Sequence, residues 1–357
     1  MGGKIKVFVV DDSAIVREIL TARLSQHPRI EVVGSAMDPY IAREKLEKTE
    51  VDVLTLDIEM PRMDGLTFLR QIMKHSPMPV VVVSSLAKEV SPAALRAMEL
   101  GAVDVVPKPG GPFSVEDVVD LLTDRILAAS AATVSRLQEG IDALADGRGS
   151  AGGRDGTIGR VRIAEPAAGD RLIAIGASTG GTIALERIFV DWEPYFPPTL
   201  AVIHMPERFT AAFAARLNEL SRATVKEAVH GEPVERGTVY IAPGNYHMQL
   251  SARGTAQSVR ITSGPRVCNQ RPAADPLFRS AAEHRGRGCL GILLTGMGRD
   301  GAEGLLEIRR AGGHTIAQDE ATSVVWGMPK AAIDLGAAET VLPLDAVVPH
   351  VHAWLRQ

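Results

Sequence analysis

The chain has 357 residues, 45% hydrophobic and 23% charged, with a formal net charge of −4. That length suits two domains, each able to bury its own core. The near-neutral balance excludes a strong field for nucleic acid or an anionic membrane surface. A DNA-binding output domain would carry a basic helix, and none is present. No apolar run approaches the ~20 residues of a membrane span. Met1-Gly2-Gly3-Lys4-Ile5-Lys6 leads into an apolar run too short for a signal peptide, and Lys6 breaks the myristoylation pattern. A cytoplasmic protein without membrane insertion is expected. Cys268 and Cys289 match neither a metal spacing nor a disulfide framework, so two reduced thiols are expected.

Residues 4 to 137 alternate short apolar runs with helical patterns. Lys4–Val10, Glu31–Gly34, Val53–Asp57, Val80–Ser84 and Val103–Val106 read as strands. Ile15–Leu24, Ile41–Leu46, Leu66–Met73, Ala93–Leu100 and Val115–Leu127 place apolar residues at helical spacing. Five βα units predict a doubly wound parallel sheet of flavodoxin-like type, with function at the carboxyl ends of the strands.

Residues 139–169 break this pattern. The stretch from Asp146 to Gly156 is rich in Gly and charge and lacks apolar periodicity, which predicts a flexible linker between a domain at 1–138 and another at 170–357. From Arg171 the βα alternation resumes. Leu172–Ile175, Leu200–Ile203, Leu290–Leu294, Thr315–Ala317 and Thr340–Leu342 read as buried strands. Ile183–Phe189, Phe209–Leu220, Pro276–Glu283, Ala302–Ala311 and Lys330–Leu335 read as helices. Gly237–Ala242 and Tyr246–Ile261 alternate every second residue, which predicts antiparallel hairpins. The second domain is thus expected to be another doubly wound α/β sheet with a β-hairpin insertion.

In the first half, Asp11-Asp12 closes one strand and Asp57 another, so a parallel sheet crowds three carboxylates together. Such crowding calls for a hard cation, and Mg²⁺ takes oxygen ligands while leaving room for a phosphoryl group. Lys108, in Val106-Pro107-Lys108-Pro109, reaches the same corner as a point charge, and Ser84 offers a hydroxyl. These residues, with Met60-Pro61-Arg62-Met63-Asp64-Gly65, resemble a two-component receiver domain. The resemblance implies that Asp57 accepts the phosphoryl group, that Asp11, Asp12 and Asp57 hold Mg²⁺, and that Ser84 and Lys108 read the phosphate. Val105 stands where receivers commonly carry an aromatic, which removes the aromatic rotamer from the usual switch.

In the second half, Gly176-Ala177-Ser178-Thr179-Gly180 fits the G-x-S-x-G pattern. A serine on a tight strand-to-helix turn lifts its hydroxyl clear of the sheet, and the glycines let N–H groups face a developing oxyanion. The same turn could instead cradle an anion at a helix N-terminus. A nucleophile needs a base and a group to orient it. His204 ends the next strand, and Asp300 follows another in Thr295-Gly296-Met297-Gly298-Arg299-Asp300-Gly301. All three lie past strand carboxyl ends. His247 and His314 are rival bases, His204 being preferred. The chain order Ser, His, Asp differs from the Ser, acid, His order of α/β-hydrolases but is no objection to the chemistry.

These motifs, with His204-Met205-Pro206, Tyr240-Ile241-Ala242-Pro243-Gly244, Thr315-Ile316-Ala317-Gln318-Asp319-Glu320 and Gly327-Met328-Pro329, resemble the chemotaxis protein-glutamate methylesterase (CheB) family over nearly the whole chain. The resemblance implies Ser178 as nucleophile, His204 as general base and Asp300 as its orienter. Backbone at Thr179 and Met297 then belongs to the oxyanion loop, and no cofactor is implied for this domain. It implies glutamyl methyl esters of chemoreceptors as substrate, possible deamidation of receptor glutamines, and a chemotaxis histidine kinase as phosphodonor. Nucleic acid is not an expected partner. Gln270 and Ala273 depart from the family's His-Arg-Pro-Ser, which predicts altered receptor contacts or local packing with the chemistry intact. A receiver tethered by ~30 residues sits at about millimolar effective concentration. Occlusion of Ser178 by the unphosphorylated receiver is therefore the expected control. A receiver-led adaptor without catalysis is the competing reading.

Overall fold

The computed structural model describes residues 3–84, 92–108, 115–150, 171–254 and 256–357. The chain divides into two compact units, Met1–Ile141 and Asp142–Gln357.

The first unit strings together β1 (Ile5–Val10), α1 (Ala14–Leu24), β2 (Ile30–Ala36), α2 (Pro39–Leu46), β3 (Val53–Asp57), α3 (Gly65–His75), β4 (Val80–Ser84), α4 (Pro92–Glu99), β5 (Asp104–Pro107), α5 (Val115–Ala129) and the start of α6 (Val134–Ser150), a helix that runs on past the unit's last residue, Ile141. Its five strands are parallel in the order β2-β1-β3-β4-β5, as the sequence predicts. β3 and β4 are buried along their whole length, which is why they read as unbroken apolar runs. Ser13, Asp38 and Asp64 cap the starts of α1, α2 and α3 by accepting backbone N–H groups of the first turn.

The sequence reading misses α6. Residues 139–150, expected to open a flexible linker, instead complete this helix. Leu137 is buried, and Ile141, one helical turn on, lies beside Gly101. That apolar spacing outweighs the glycines that follow. The remainder of the expected linker, residues 151–169, lies outside the described residues.

The second unit holds a parallel sheet built from β6 (Leu172–Ala177), β7 (Thr199–Ile203), β8 (Thr224–Glu227), β9 (Thr238–Ile241), β12 (Cys289–Leu293), β13 (His314–Gln318) and β14 (Thr340–Leu342), in the order β14-β13-β12-β6-β7-β9-β8. The helices are α7 (Gly181–Val190), α8 (Phe209–Leu220), α9 (Ala274–Arg285), α10 (Ala302–Arg310), α11 (Met328–Asp334) and α12 (Val347–Leu355). A two-stranded antiparallel ribbon, β10 (His247–Arg253) with β11 (Ala256–Thr262), is inserted ahead of α9. β6 leads to β7 on one side, and the chain later returns to β12 on the other. The strand order therefore reverses between β6 and β12, which opens a crevice at their carboxyl ends. Leu172, Leu200, Tyr240, Phe278, Leu293 and Leu305 belong to the core behind it.

Three details correct the sequence reading. Thr238–Ile241 is no hairpin arm; it pairs in parallel with both β7 and β8 and is buried throughout. β8 escapes notice because Thr-Val-Lys-Glu at a sheet edge carries little apolar signal. α12 is hidden by Pro349, which falls in the first turn, where no intrahelical N–H bond is required. Among the described residues, no helix is long and apolar enough to cross a membrane.

Candidate phosphorylation and active sites

The ends of β1 and β3 lie side by side, and the carboxylate oxygens of Asp11, Asp12 and Asp57 approach within 4.8 Å of one another. Asp57 is fully buried. Its Oδ1 accepts the Glu59 N–H (3.0 Å), and its Oδ2 accepts from Lys108 Nζ at 2.6 Å. The same ammonium lies 3.1 Å from Asp11 and 4.0 Å from Asp12. Ser84 is buried at the end of β4, with its carbonyl accepting the Lys108 N–H (2.9 Å). All five predicted residues thus share one corner of the sheet. Val105 is buried in β5.

Burial pushes the Asp57 carboxyl from the usual carboxylate range up to about 6, against the pull of Lys108. Burial likewise raises Asp11, whose Oδ2 accepts no hydrogen bond despite the nearby ammonium. One lysine under-compensates three acids, so the donor set fits a hard divalent cation such as Mg²⁺.

A carboxyl whose folded value is raised holds its proton more tightly in the fold than in the unfolded chain. Its stabilising effect is complete below the usual carboxylate range and is lost as pH rises through about 6. Without divalent metal, the stability of the wild-type receiver relative to Asp57→Asn should fall across that window, and Mg²⁺ should restore it at neutral pH. Denaturant melts at stepped pH, with and without Mg²⁺, check this; a pH-independent difference between the two proteins counts against the buried charge.

In the second unit, β6 delivers Ser178 to a turn closed by a Gly181 N–H bond to the Ser178 carbonyl (2.6 Å). Gly180 has φ +79°, a conformation that favours glycine, and opens α7 as its N-cap. The β6–β12 ladder continues past both strands: Leu294 N–H reaches the Gly176 carbonyl (2.8 Å) and Ser178 N–H reaches Thr295 (2.9 Å). Gly296 must lack a side chain, since a Cβ there would lie 2.7 Å from the Ser178 Cβ and 2.4 Å from Met328 Sδ.

His204 follows β7, tied by its N–H to the Ala177 carbonyl (3.2 Å). Its Nδ1 lies 3.1 Å from Ser178 Oγ, and its Nε2 lies 2.7 Å from Asp300 Oδ2. Ser178 and His204 are each 5% exposed and Asp300 1%. Asp300 also accepts the backbone N–H groups of Ala274 (2.6 Å) and Asp275 (3.1 Å), the first two residues of α9. Burial pushes this carboxyl up, but His204 and the two amides outweigh it and hold it below the usual range.

The departure at Ala273 becomes intelligible here. Ala273 is the N-cap of α9 and makes no side-chain cap; Asp300 does that work from another element. Gln270 lies in the turn before it, its backbone paired with Val267. The rival bases are placed elsewhere: His247 sits on the ribbon with Nε2 on the Pro265 carbonyl (2.9 Å), and His314 begins β13, at the opposite end of the strands, beside Glu339. Neither the Thr179 nor the Met297 N–H donates a hydrogen bond among the described residues. Both cysteines are free, Cys289 buried and Cys268 exposed. Cys268 lies in space beside Asp275 and Asp300, a grouping that linear spacing does not reveal. Sequence reasoning also missed the helix-α9 amides as partners of Asp300, because backbone donors leave no residue-type signal.

A family model described as response regulator receiver domain matches residues 7–120, and one described as CheB methylesterase matches residues 173–351. The class is therefore a response regulator whose output unit is an α/β enzyme fold. The chain is 49% identical to protein-glutamate methylesterase/protein-glutamine glutaminase 2 of Syntrophus aciditrophicus (strain SB), over 98% of each chain. It is 49% identical to the corresponding protein 5 of Anaeromyxobacter dehalogenans (strain 2CP-C), over 97% of this chain and 96% of that one. The crystal structure of the Thermotoga maritima CheB methylesterase catalytic domain superposes with a TM-score of 0.51 at 39% identity, covering 52% of this chain and 98% of that one. The chain belongs to the CheB methylesterase family.

Proposed function

We propose that this chain is a cytoplasmic, phosphorylation-activated hydrolase that removes methyl groups from glutamyl methyl esters on chemoreceptors. The same chemistry extends to receptor glutamine amides, with ammonia leaving in place of methanol. The observation that carries the reading is the continuous relay from Ser178 Oγ through His204 to Asp300 at the sheet's switch point.

Asp300 holds the imidazole proton on Nε2, which leaves the Nδ1 lone pair facing the Ser178 hydroxyl. As Oγ attacks the ester carbonyl carbon, its proton passes to Nδ1 and the carbonyl electron pair becomes an oxyanion. The unbonded Thr179 and Met297 N–H groups are the donors assigned to that oxygen. Collapse expels the methoxy group, which takes the proton from His204 and leaves as methanol, with the glutamyl group esterified to Ser178. Water then attacks this ester, with His204 taking its proton, and free glutamate and Ser178 are regenerated.

In the receiver, Asp57 is assigned as the phosphoryl acceptor, with a chemotaxis histidine kinase as donor; Ser84 and Lys108 contact the phosphate. Asp11, Asp12 and Asp57 would hold Mg²⁺, which would supply positive charge to offset the phosphoryl oxygens. The test is methanol release from methylated receptor membranes, with and without a small-molecule phosphodonor. Release should rise with the phosphodonor in wild type and stay at the basal level in Asp57→Asn. Equal stimulation of both proteins would remove the switch from the reading.

A further inference from the structure

We propose that Thr295 and Gln318 are positioning residues that hold the nucleophile turn in register, acting through its backbone and not through contact with substrate. The inference rests on the reading of Ser178 as nucleophile.

Thr295 is 1% exposed and Gln318 fully buried, so their polar groups have no recourse to bulk water. Thr295 grips the turn twice. Its carbonyl accepts the Ser178 N–H (2.9 Å), and its Oγ1 lies 3.0 Å from the Thr179 carbonyl, to which it donates. The same oxygen accepts the Val325 N–H (3.0 Å) and lies 3.2 Å from the Val325 carbonyl, tying in the neighbouring loop. Since the Ser178 carbonyl is already bonded to the Gly181 N–H, the peptide group on each side of Ser178 is fixed, as is the one after Thr179. The Thr179 N–H, the donor assigned to the oxyanion, makes no hydrogen bond among the described residues, and the buried Thr179 Oγ1 is likewise without a partner.

Thr295 is itself held by Gln318, the last residue of β13. Gln318 Oε1 accepts the Thr295 N–H at 2.8 Å, and Nε2 donates to the Thr322 carbonyl (2.8 Å) and hydroxyl (3.2 Å). The side chain supplies a ladder acceptor where β13 leaves the sheet, with Asp319 N–H already turned to Leu342 of β14. A fully satisfied buried network of this kind fixes geometry, and fixed geometry is where the rate resides: an error of about 1 Å at a nucleophile costs about 10²-fold.

Thr295→Val keeps shape and removes the hydroxyl. It should lower kcat for methanol release by about 10- to 100-fold, with KM within about twofold of wild type. The acid limb of the kcat–pH profile should not move, because the His204–Asp300 pair is untouched. Thr295→Ser restores the hydroxyl and should recover most of kcat. Gln318→Leu strands the Thr295 N–H and should lower kcat in the same way, and the double variant should fall little further than the worse single one, as expected of two links in one chain. Wild-type kcat in both Thr295→Val and Gln318→Leu overturns the inference. So does a Thr295→Ser protein as impaired as Thr295→Val, or a loss that appears in KM and thermal midpoint instead of kcat. Ser178→Ala run alongside separates the two failures: release retained there overturns the nucleophile assignment itself.

Discussion

Replacing Ser178 with alanine is expected to lower kcat for methanol release by about 10⁶-fold while the thermal midpoint moves by no more than a few degrees. The asymmetry follows from the site. The anchors of the turn are the Ser178 N–H and carbonyl, which alanine retains, whereas Oγ is the atom facing His204 at 3.1 Å. Without it the imidazole has no proton to take, and only the oxyanion donors and substrate binding remain to assist water. Radiolabelled methanol from methylated receptor membranes gives the dynamic range needed. Release above about one per cent of wild type would sink the assignment of Ser178 as nucleophile, whereas no release from either protein would favour a receiver-led adaptor whose serine loop binds and does not react.

The second large effect belongs to Asp300, and there activity and stability fall together. Asp300→Ala removes the acceptor for His204 Nε2 and for two amides at the start of α9, all in a buried site. Stranding those donors should cost about 2–4 kcal/mol, read as a shifted midpoint in urea, and kcat should drop by about 10⁴-fold because the imidazole loses its tautomer and orientation. Asp300→Asn can still accept from the helix and should recover part of the stability but little of kcat. The pH dependence has a definite sign. A carboxyl held below the usual range contributes stability that is present above that range and is lost as pH falls through its folded value. The stability gap between wild type and Asp300→Ala should therefore narrow in strong acid. A gap constant down to the acid limit of folding would show that the aspartate's charge is not what the helix end and His204 hold.

The two parallel sheets were legible because strands buried on both faces write themselves as apolar runs, such as Val80–Ser84 and Leu172–Ala177. The grouping of Ser178, His204 and Asp300 was legible because each follows such a run, and the carboxyl ends of neighbouring parallel strands must meet. What stayed hidden was carried by atoms that residue type does not advertise. Thr295 and Gln318 lie inside conspicuous motifs, but their side chains bond to backbone groups whose positions are fixed only by register. The parallel pairing of Thr238–Ile241 was hidden for a related reason, since a four-residue strand buried on both faces shows no preference for either kind of neighbour. α6 shows the opposite error, in which a Gly-rich composition masked the apolar spacing of Leu137 and Ile141.

The continuation of the β6–β12 ladder through Ser178 N–H ties the fate of the proposed nucleophile to the central strands of the second unit's sheet. Sites carried on surface loops fail early on heating, because a loop can fray while its scaffold survives. This serine has no such partial failure open to it: to leave its place, its amide must part from the middle of a seven-stranded sheet. Inactivation and melting of the second unit are then a single event. Tolerance gained by strengthening that sheet is passed in full to the working lifetime of the enzyme.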